Sequence, residues 1–439
     1  MIALLNKYVF GVGVPVLLII SGVFYCVRLR AFYFFHPIKS LKRMLLREKR
    51  GGVSPLKALC LALAGTLGVG NMVGVASAIS LGGCGAVFWM WVSALVAMSL
   101  KYAEIVLAMR HRRFDNEGKP HGAAMYYITD LFLGRTAGRI LSVIFALLCL
   151  LNAVSMGGMI QIKAAADAAN GVFGVPHILI GGGFAVTAFC AMWRGSNGIL
   201  HFTEKLVPFM TVGFVVISLF VVFTDIDGAY SAIQEIFKNA FTIESGVSGV
   251  LGFLFSNALR YGTMRGILSN EAGCGTSPTA HAVSDCDVPA KQGLWGVLEV
   301  FVDTILLCTL TAIVIIMSGN TYGNDYMMMT VDAYSVAIGN VAGIFVAISV
   351  MLFGLATILC WGHYGMESVR YLSTKKGWGR VFIFVYCICV LWGSVLSGDM
   401  IWDMSDLAIG GMTFINLAVL LFMNREVVEE TRAFWKNTK

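Results

Sequence analysis

One stretch narrows what this chain can fold into more than any other. AGTLGVGNMVGV, Ala64 to Val75, lies inside an apolar helix candidate running from about Pro55 to Ile79 and sets Gly65, Gly68, Gly70, Asn71 and Gly74 within it. Each interior glycine costs roughly 1 kcal/mol of helix propensity relative to alanine, so the middle of this run is predicted to leave the helix. Inside a bilayer, non-helical backbone survives only where other protein buries it or where it lines a cavity. A break here therefore predicts a cavity faced by free amides and carbonyls. Gly70 and Gly74 also fit the small-xxx-small spacing of close helix packing, and Asn71 favours the break, because an apolar contact needs no amide side chain.

The bilayer follows from composition. With 58% hydrophobic and 13% charged residues and a mean hydropathy of +0.78, the 439-residue chain reads as an all-α polytopic membrane protein. Eleven spans are predicted: Tyr8–Val27, Pro55–Ile79, Gly85–Met109, Ile140–Ala166, Ile178–Trp193, Leu206–Phe223, Val247–Ile267, Leu294–Met317, Val341–Tyr364, Val381–Leu396 and Leu407–Met423. The first is long enough to span, so it is not read as a cleaved signal. The eleven cysteines form no CxxC pair and read as small reduced core residues. The net charge of +7 sits in short loops, which points to topology rather than to a nucleic-acid partner.

Those loops set orientation. Arg28 to Arg50 and the loop holding Arg110, Arg112, Arg113, Lys119, Arg135 and Arg139 are predicted cytoplasmic, as are Arg194, Lys291, Arg370, Lys375, Lys376 and Arg380. Asp167, Asp225, Asp227, Glu235, Asp325, Asp332, Asp399 and Asp403 fall on the other side, which places the N-terminus outside and the C-terminus inside the plasma (inner) membrane. Pro37–Arg47, Gly122–Leu133 and Tyr230–Phe241 read as interfacial helices.

A second interrupted segment, VLGFLFSNALRYGTMRGILSNEAGCGTS from Val250 to Ser277, carries Asn257, Arg260, Thr263, Arg265, Ser269, Asn270 and Glu271, with Gly262 and Gly266 as break points. With the first span set aside, the two interrupted helices are the first and sixth of ten and enter from opposite sides, as two inverted five-helix repeats require. The division is then residues 1–50 for the first helix and a basic segment, 51–225 and 226–424 for the repeats, and 425–439 for a C-terminal tail.

GTLGVGNMVGVASAISLGG with GAVFWMWVSALVAMSLKYAE, and RGILSNEAGCGTSPTAHA, resemble the alanine/glycine:cation symporters, as do KQGLWGVLEVFVDTILLCTLTA and FGLATILCWGHYG further on. The likeness covers almost the whole chain. It implies the LeuT-type fold of two inverted five-helix repeats behind one extra N-terminal helix. It also implies import of alanine, glycine or a similar small neutral amino acid, coupled to sodium or sometimes to protons. No cofactor is implied beyond sodium as coupling ion, and no obligate protein partner. The family usually has threonine where Val69 stands and proline where Cys84 stands, so the break here carries one hydroxyl fewer.

The resemblance assigns residues. Amides of Gly68, Val69, Gly70 and Asn71 would hold the substrate carboxylate, an interaction worth ~0.3–2 kcal/mol at a helix N-terminus. Gln161 matches a substrate glutamine, against the alternative of an interhelical hydrogen bond. Thr357 would meet the amino group or sodium, and Trp361, one turn on, would wall the side-chain pocket, against the alternative of packing. Sodium would lie on the carbonyls of Ala64, Leu67 and Phe353 plus the Thr357 hydroxyl, an oxygen-only set suited to a hard cation. Thr263, Ser269 and Asn270 would complete the cavity, while Arg260 and Arg265 read as anchors at the span's inner end. By spacing, Glu299 with Asp303 and Lys101 with Glu104 each share a helix face; paired charges facing the bundle are often structural, with a proton relay as the alternative for Glu299 and Asp303. A channel would need a filter run such as TVGYG, and an enzyme a motif such as HExxH or GxSxG; the sequence has none of these, so it reads as a carrier.

Overall fold

Backbone groups in hydrocarbon have no water to bond, so each apolar run closes its hydrogen bonds on itself. The computed structural model describes residues 13–45, 52–131, 136–241, 257–323, 325–396 and 399–436. The described residues are helical apart from connecting segments and one antiparallel hairpin, β1 (Arg113–Phe114) with β2 (Pro120–His121).

The leading elements are α1 (Val14–Arg28), short α2 (Phe32–Phe35) and surface helix α3 (Pro37–Leu45). The glycine-rich run breaks as expected. Helix α4 (Pro55–Thr66) starts with Ser54 accepting the Lys57 amide at 3.4 Å and Pro55 in the first turn, where its missing N–H costs nothing. It stops before Leu67, a single 3-10 turn covers Val69–Asn71, and α5 (Val73–Gly82) resumes. Then come α6 (Ala86–Arg110), α7 (Ala124–Leu131), α8 (Thr136–Phe173), α9 (His177–Trp193) and α10 (Ser196–Thr224). The second set is α11 (Ile226–Asn239), α12 (Asn257–Asn270), α13 (Ser277–His281), α14 (Pro289–Met317), α15 (Tyr326–Ile338), α16 (Val341–Leu372), α17 (Lys376–Gly393) and α18 (Asp399–Phe422), followed by α19 (Asn424–Lys436).

Six described helices, α6, α8, α10, α14, α16 and most of α18, are long and apolar enough to cross a membrane. Shorter apolar helices, α1, α4, α5, α9 and most of α17, account for further expected spans. Of the predicted segments, residues 8–12, 46–51, 132–135 and 247–256 lie outside the described residues. Within those bounds helices form at the three segments expected to be interfacial, as α3, α7 and α11.

Five elements of the first set pack on counterparts in the second: α5 on α12, α4 on α13, α6 on α14, α8 on α16 and α9 on α17. The two broken helices thus lie side by side. One expectation fails here. Gly262 and Gly266 are not break points but lie inside α12, where a β-carbon would run into Ala86 O and Ser93 Oγ of α6, so their small size serves close packing. The second break instead spans residues 271–276, later than the predicted span Val247–Ile267. Its turn needs left-handed backbone, supplied by Gly273 (φ +83°) and Gly275 (φ +78°) and adopted by Glu271 (φ +52°).

Charges on α6 hold this second break. Glu104 Oε1 accepts the Gly275 amide at 2.9 Å, and Asn416 of α18 donates to Gly273 O at 2.9 Å. Lys101 Nζ reaches Ser277 Oγ at 2.5 Å and Glu299 Oε1 at 3.3 Å, and His281 Nε2 lies 3.0 Å from Glu299 Oε2. Lys101 and Glu299 therefore pair across α6 and α14. Removing one partner of such a buried pair typically costs about 3–5 kcal/mol.

Candidate functional site

Where α4 ends, the Gly68 amide turns to Thr66 O at 2.8 Å, so the helical bond that Ala64 O would receive from it is not made. Gly68 itself is extended (φ −111°, ψ −158°). A β-carbon there would lie 2.9 Å from Gln161 Oε1 and 3.0 Å from Thr357 Oγ1, so the glycine lets α8 and α16 close on the break. The Val69 amide donates to Gln161 Oε1 at 3.2 Å, and Thr357 Oγ1 donates to Phe353 O at 3.0 Å, with Leu67 O at 3.5 Å. Four of the substrate-binding residues assigned from sequence, Gly68, Val69, Gln161 and Thr357, thus meet at one point, beside Leu67 and Phe353. Gln161 follows directly on a π-helical stretch, Ala153–Ile160, a distortion common at functional sites.

Above this point a cavity of about 500 Å³ opens between the two breaks. Gly68, Val69, Gly70 and Gln161 line it, with Met156, Ile160 and Leu268 as apolar walls. It continues past Tyr326 and Trp402 into a vestibule of about 1120 Å³ bounded by Lys163, Asp167, His177 and Asp325.

Other assigned residues lie elsewhere. Asn71 turns its side chain away from the cavity and donates to Asp303 Oδ1 at 2.8 Å, its own amide bonding Gly68 O at 3.3 Å. Ser269 donates to Asp303 Oδ2 at 2.7 Å, and Asn270 donates to Thr304 at 3.2 Å, so both brace α14. Thr263 is buried within α12 and does not line the cavity. Trp361 is fully buried against Gly157 of α8, beneath the cavity rather than in its wall.

Arg265 is corrected from an anchor near the span's end to a cavity wall, because α12 is the half-helix on the open side. Glu271, which the sequence reading did not assign, also lines the cavity, with Oε2 accepting the Thr276 hydroxyl at 2.7 Å. A carboxylate inside SNEAGCG was the available signal. What hid its role was the misplaced break.

On the side opposite the vestibule the molecule is closed. Lys57 on α4 pairs with Glu204 on α10 at 2.6 Å, the Asp285 amide donates to Val53 O at 2.8 Å, and Arg112 donates to Ser284 O at 2.7 Å. His121 of the hairpin contacts Glu367 of α16 at 3.1 Å and Asp115 at 3.2 Å, with Arg370 against both His121 and Glu367. Burial lowers the imidazole pKa, but hydrogen bonding and charge attraction from Glu367 and Asp115 outweigh it and raise the value, Arg370 opposing.

A family model described as the sodium:alanine symporter family matches residues 1–439. The sodium/alanine symporter AgcS of Methanococcus maripaludis is 33% identical over 442 residues, covering 98% of this chain and 95% of that protein. The amino-acid carrier protein AlsT of Bacillus subtilis is 32% identical over 435 residues, covering 99% and 90%. Among solved structures, MhsT in complex with L-phenylalanine superposes with a TM-score of 0.64 over 87% of this chain and 93% of that one, at 12% identity, a likeness of fold alone. The architecture is the LeuT-type arrangement expected from the sequence.

Proposed function

Because the chain belongs to the sodium:alanine symporter family, whose members are transporters and not enzymes, we propose that it is a sodium-coupled importer of alanine, glycine or a similar small neutral amino acid. The observation that carries this reading is the convergence of Gly68, Val69, Gln161 and Thr357 beneath a cavity bounded by two broken helices. The names of AgcS and AlsT support amino-acid transport.

In this reading sodium is held by the Ala64, Leu67 and Phe353 carbonyls and the Thr357 hydroxyl, all hard oxygen donors. The substrate carboxylate takes the Gly70 amide and displaces Gln161 from the Val69 amide. Glu271 receives the ammonium group. Thr263, Ser269, Asn270 and Trp361 support the walls from behind. A zwitterion gains nothing from membrane potential alone, whereas one co-transported cation adds ~2.3 kcal/mol per 100 mV, roughly a 50-fold gradient. With the N-terminus outside the plasma membrane, the vestibule faces outward, and import proceeds as one five-helix repeat (51–225) and the other (226–424) rock about the site.

Uptake of radiolabelled alanine into liposomes, in competition with a panel of amino acids, tests this. Saturable uptake that collapses without a sodium gradient supports the reading; ohmic current without saturable uptake makes it a channel. A second reading, proton coupling on the same fold, is favoured by Asp303, a buried carboxylate whose hydrogen-bond donors, Asn71, Ser269 and Thr304, are all neutral. Uptake driven by a pH gradient in sodium-free buffer would select it.

A further inference from the structure

Far from the cavity, at the end of α1, the chain makes an uncommon turn: Arg30 and Ala31 both adopt positive φ, +56° and +40°. Non-glycine residues pay for left-handed backbone, and they hold it where surrounding structure gains from it. Here the turn throws α2 and α3 across the C-terminal helix α19. The three enclose a pocket of about 900 Å³ lined by Arg28, Arg30, Lys39, Arg432, Lys436 and Trp435, with no Asp or Glu in its lining among the described residues.

The absence of acid has a structural cause. Helix α19 turns two of its three carboxylates to α6, where Arg110 pairs with Glu426 at 2.9 Å and with Glu430 at 3.0 Å, and the third, Glu429, is exposed and does not line the pocket. The remaining face is left basic, and among the described residues none of Arg28, Arg30, Lys39, Arg432 and Lys436 forms an ion pair. The indole of Trp435 is fixed between Phe32, at 5.4 Å between ring centres, and Arg43, at 3.9 Å from its ring centre. Its N–H is buried and has no acceptor among the described residues. Five cations and one orphaned donor ask for an anion that accepts hydrogen bonds.

The surroundings say what carries that anion. Beside the pocket α2 and α3 expose Phe35 (76%) and Ile38 (70%), with Leu41 and Leu45 on the same helix. Exposed apolar side chains next to a basic pocket, at the level where an apolar span ends, match a phosphodiester headgroup with its acyl chains alongside.

We propose that this pocket is a binding site for an anionic phospholipid, its phosphate held by Arg30, Arg432 and the Trp435 N–H and its chains lying along α2 and α3. The lipid ties α19 to α1 independently of whatever the central cavity carries.

The test uses the full-length protein in detergent, with dioleoylphosphatidylglycerol, dioleoylphosphatidylcholine and sodium pyrophosphate as separate additions, read by native mass spectrometry and by thermal unfolding. Phosphatidylglycerol is expected to stay bound and raise the unfolding temperature, and the other two are not. Arg30→Gln with Arg432→Gln is expected to weaken retention roughly 30-fold, at about a fivefold loss per basic residue. Trp435→Phe keeps the ring, removes the N–H and should weaken retention in the same direction, which covers a double variant that fails to fold. Lys238→Gln with Lys375→Gln removes the same charge elsewhere and should change nothing. Equal effects of pyrophosphate, of phosphatidylcholine or of the Lys238 and Lys375 changes would each overturn the proposal, as would absence of retained phosphatidylglycerol.

Discussion

Gln161 Oε1 accepts the amide of Val69 at 3.2 Å, across the break in the first repeat. A side chain from α8 thus occupies a backbone donor freed by the break and ties the non-helical turn to α8. In the proposed function, a substrate carboxylate that takes the Val69 amide displaces Gln161 from it.

Gly68→Ala is expected to be the most damaging alanine substitution in the break. Its β-carbon would sit 2.9 Å from Gln161 Oε1 and 3.0 Å from Thr357 Oγ1, whereas among the described residues the nearest contact at Gly70 is Ser269 Cα at 3.9 Å and at Gly74 nothing lies within 4 Å. Overpacking of this kind costs about 1–3 kcal/mol, or roughly 5- to 150-fold in uptake. Initial rates of alanine uptake check the order Gly68 far below Gly70 and Gly74; equal rates would remove the crowding argument.

Thr357→Ala should weaken sodium dependence more than Gln161→Ala does. The Thr357 hydroxyl contacts the carbonyls of Phe353 and Leu67, while Gln161 contacts an amide. Sodium activation curves for the two variants give the answer, and matching curves would count against the ion assignment.

Glu271→Gln keeps the shape of the cavity wall and the Thr276 hydroxyl bond but removes a charge. If the carboxylate receives the ammonium group, the alanine KM rises about tenfold or more where the carboxyl is ionised, since a hydrogen bond to a charged group is worth about 1.5–3 kcal/mol. Loss of net uptake with exchange intact would make Glu271 a proton carrier instead.

The clamp between the hairpin and α16 should depend on pH. His121 has a raised pKa in the folded protein, so its contribution is fully present below the ordinary value of 6.5 and is lost as pH rises through the raised one. Hydrogen exchange of residues 113–121 is expected to quicken over that rise, and His121→Asn should flatten the profile. A wild-type profile without a step in that window would dismiss the clamp.

Local chemistry made much of this legible. Apolar runs without water must become helices, and glycines clustered in one of them must interrupt it, so the spans and the first break could be read from residues alone. Gln161 and Thr357 stand out through the resemblance to a known family, since position in an apolar run leaves Gln161 balanced between ligand contact and an interhelical hydrogen bond. Gly262 and Gly266 misled, because a glycine that ends a helix and a glycine that admits a neighbouring backbone look alike in one dimension. Which of the two it is depends on α6, more than 150 residues earlier in the chain.

The sequence by itself determined that this chain lives in a bilayer, that it has two related halves, and that its first core helix comes apart within Ala64 to Val75. Only the tertiary structure decided which way the polar side chains of those breaks point. Asn71, Ser269 and Asn270 sit in the expected places, yet the buried residues Asp303 and Thr304 of α14 draw their side chains away from the cavity, and Glu271 turns towards it on a left-handed backbone. The reason is physical: a buried donor or acceptor goes to the nearest partner it can satisfy, and partners brought together by packing carry no mark in the order of the residues.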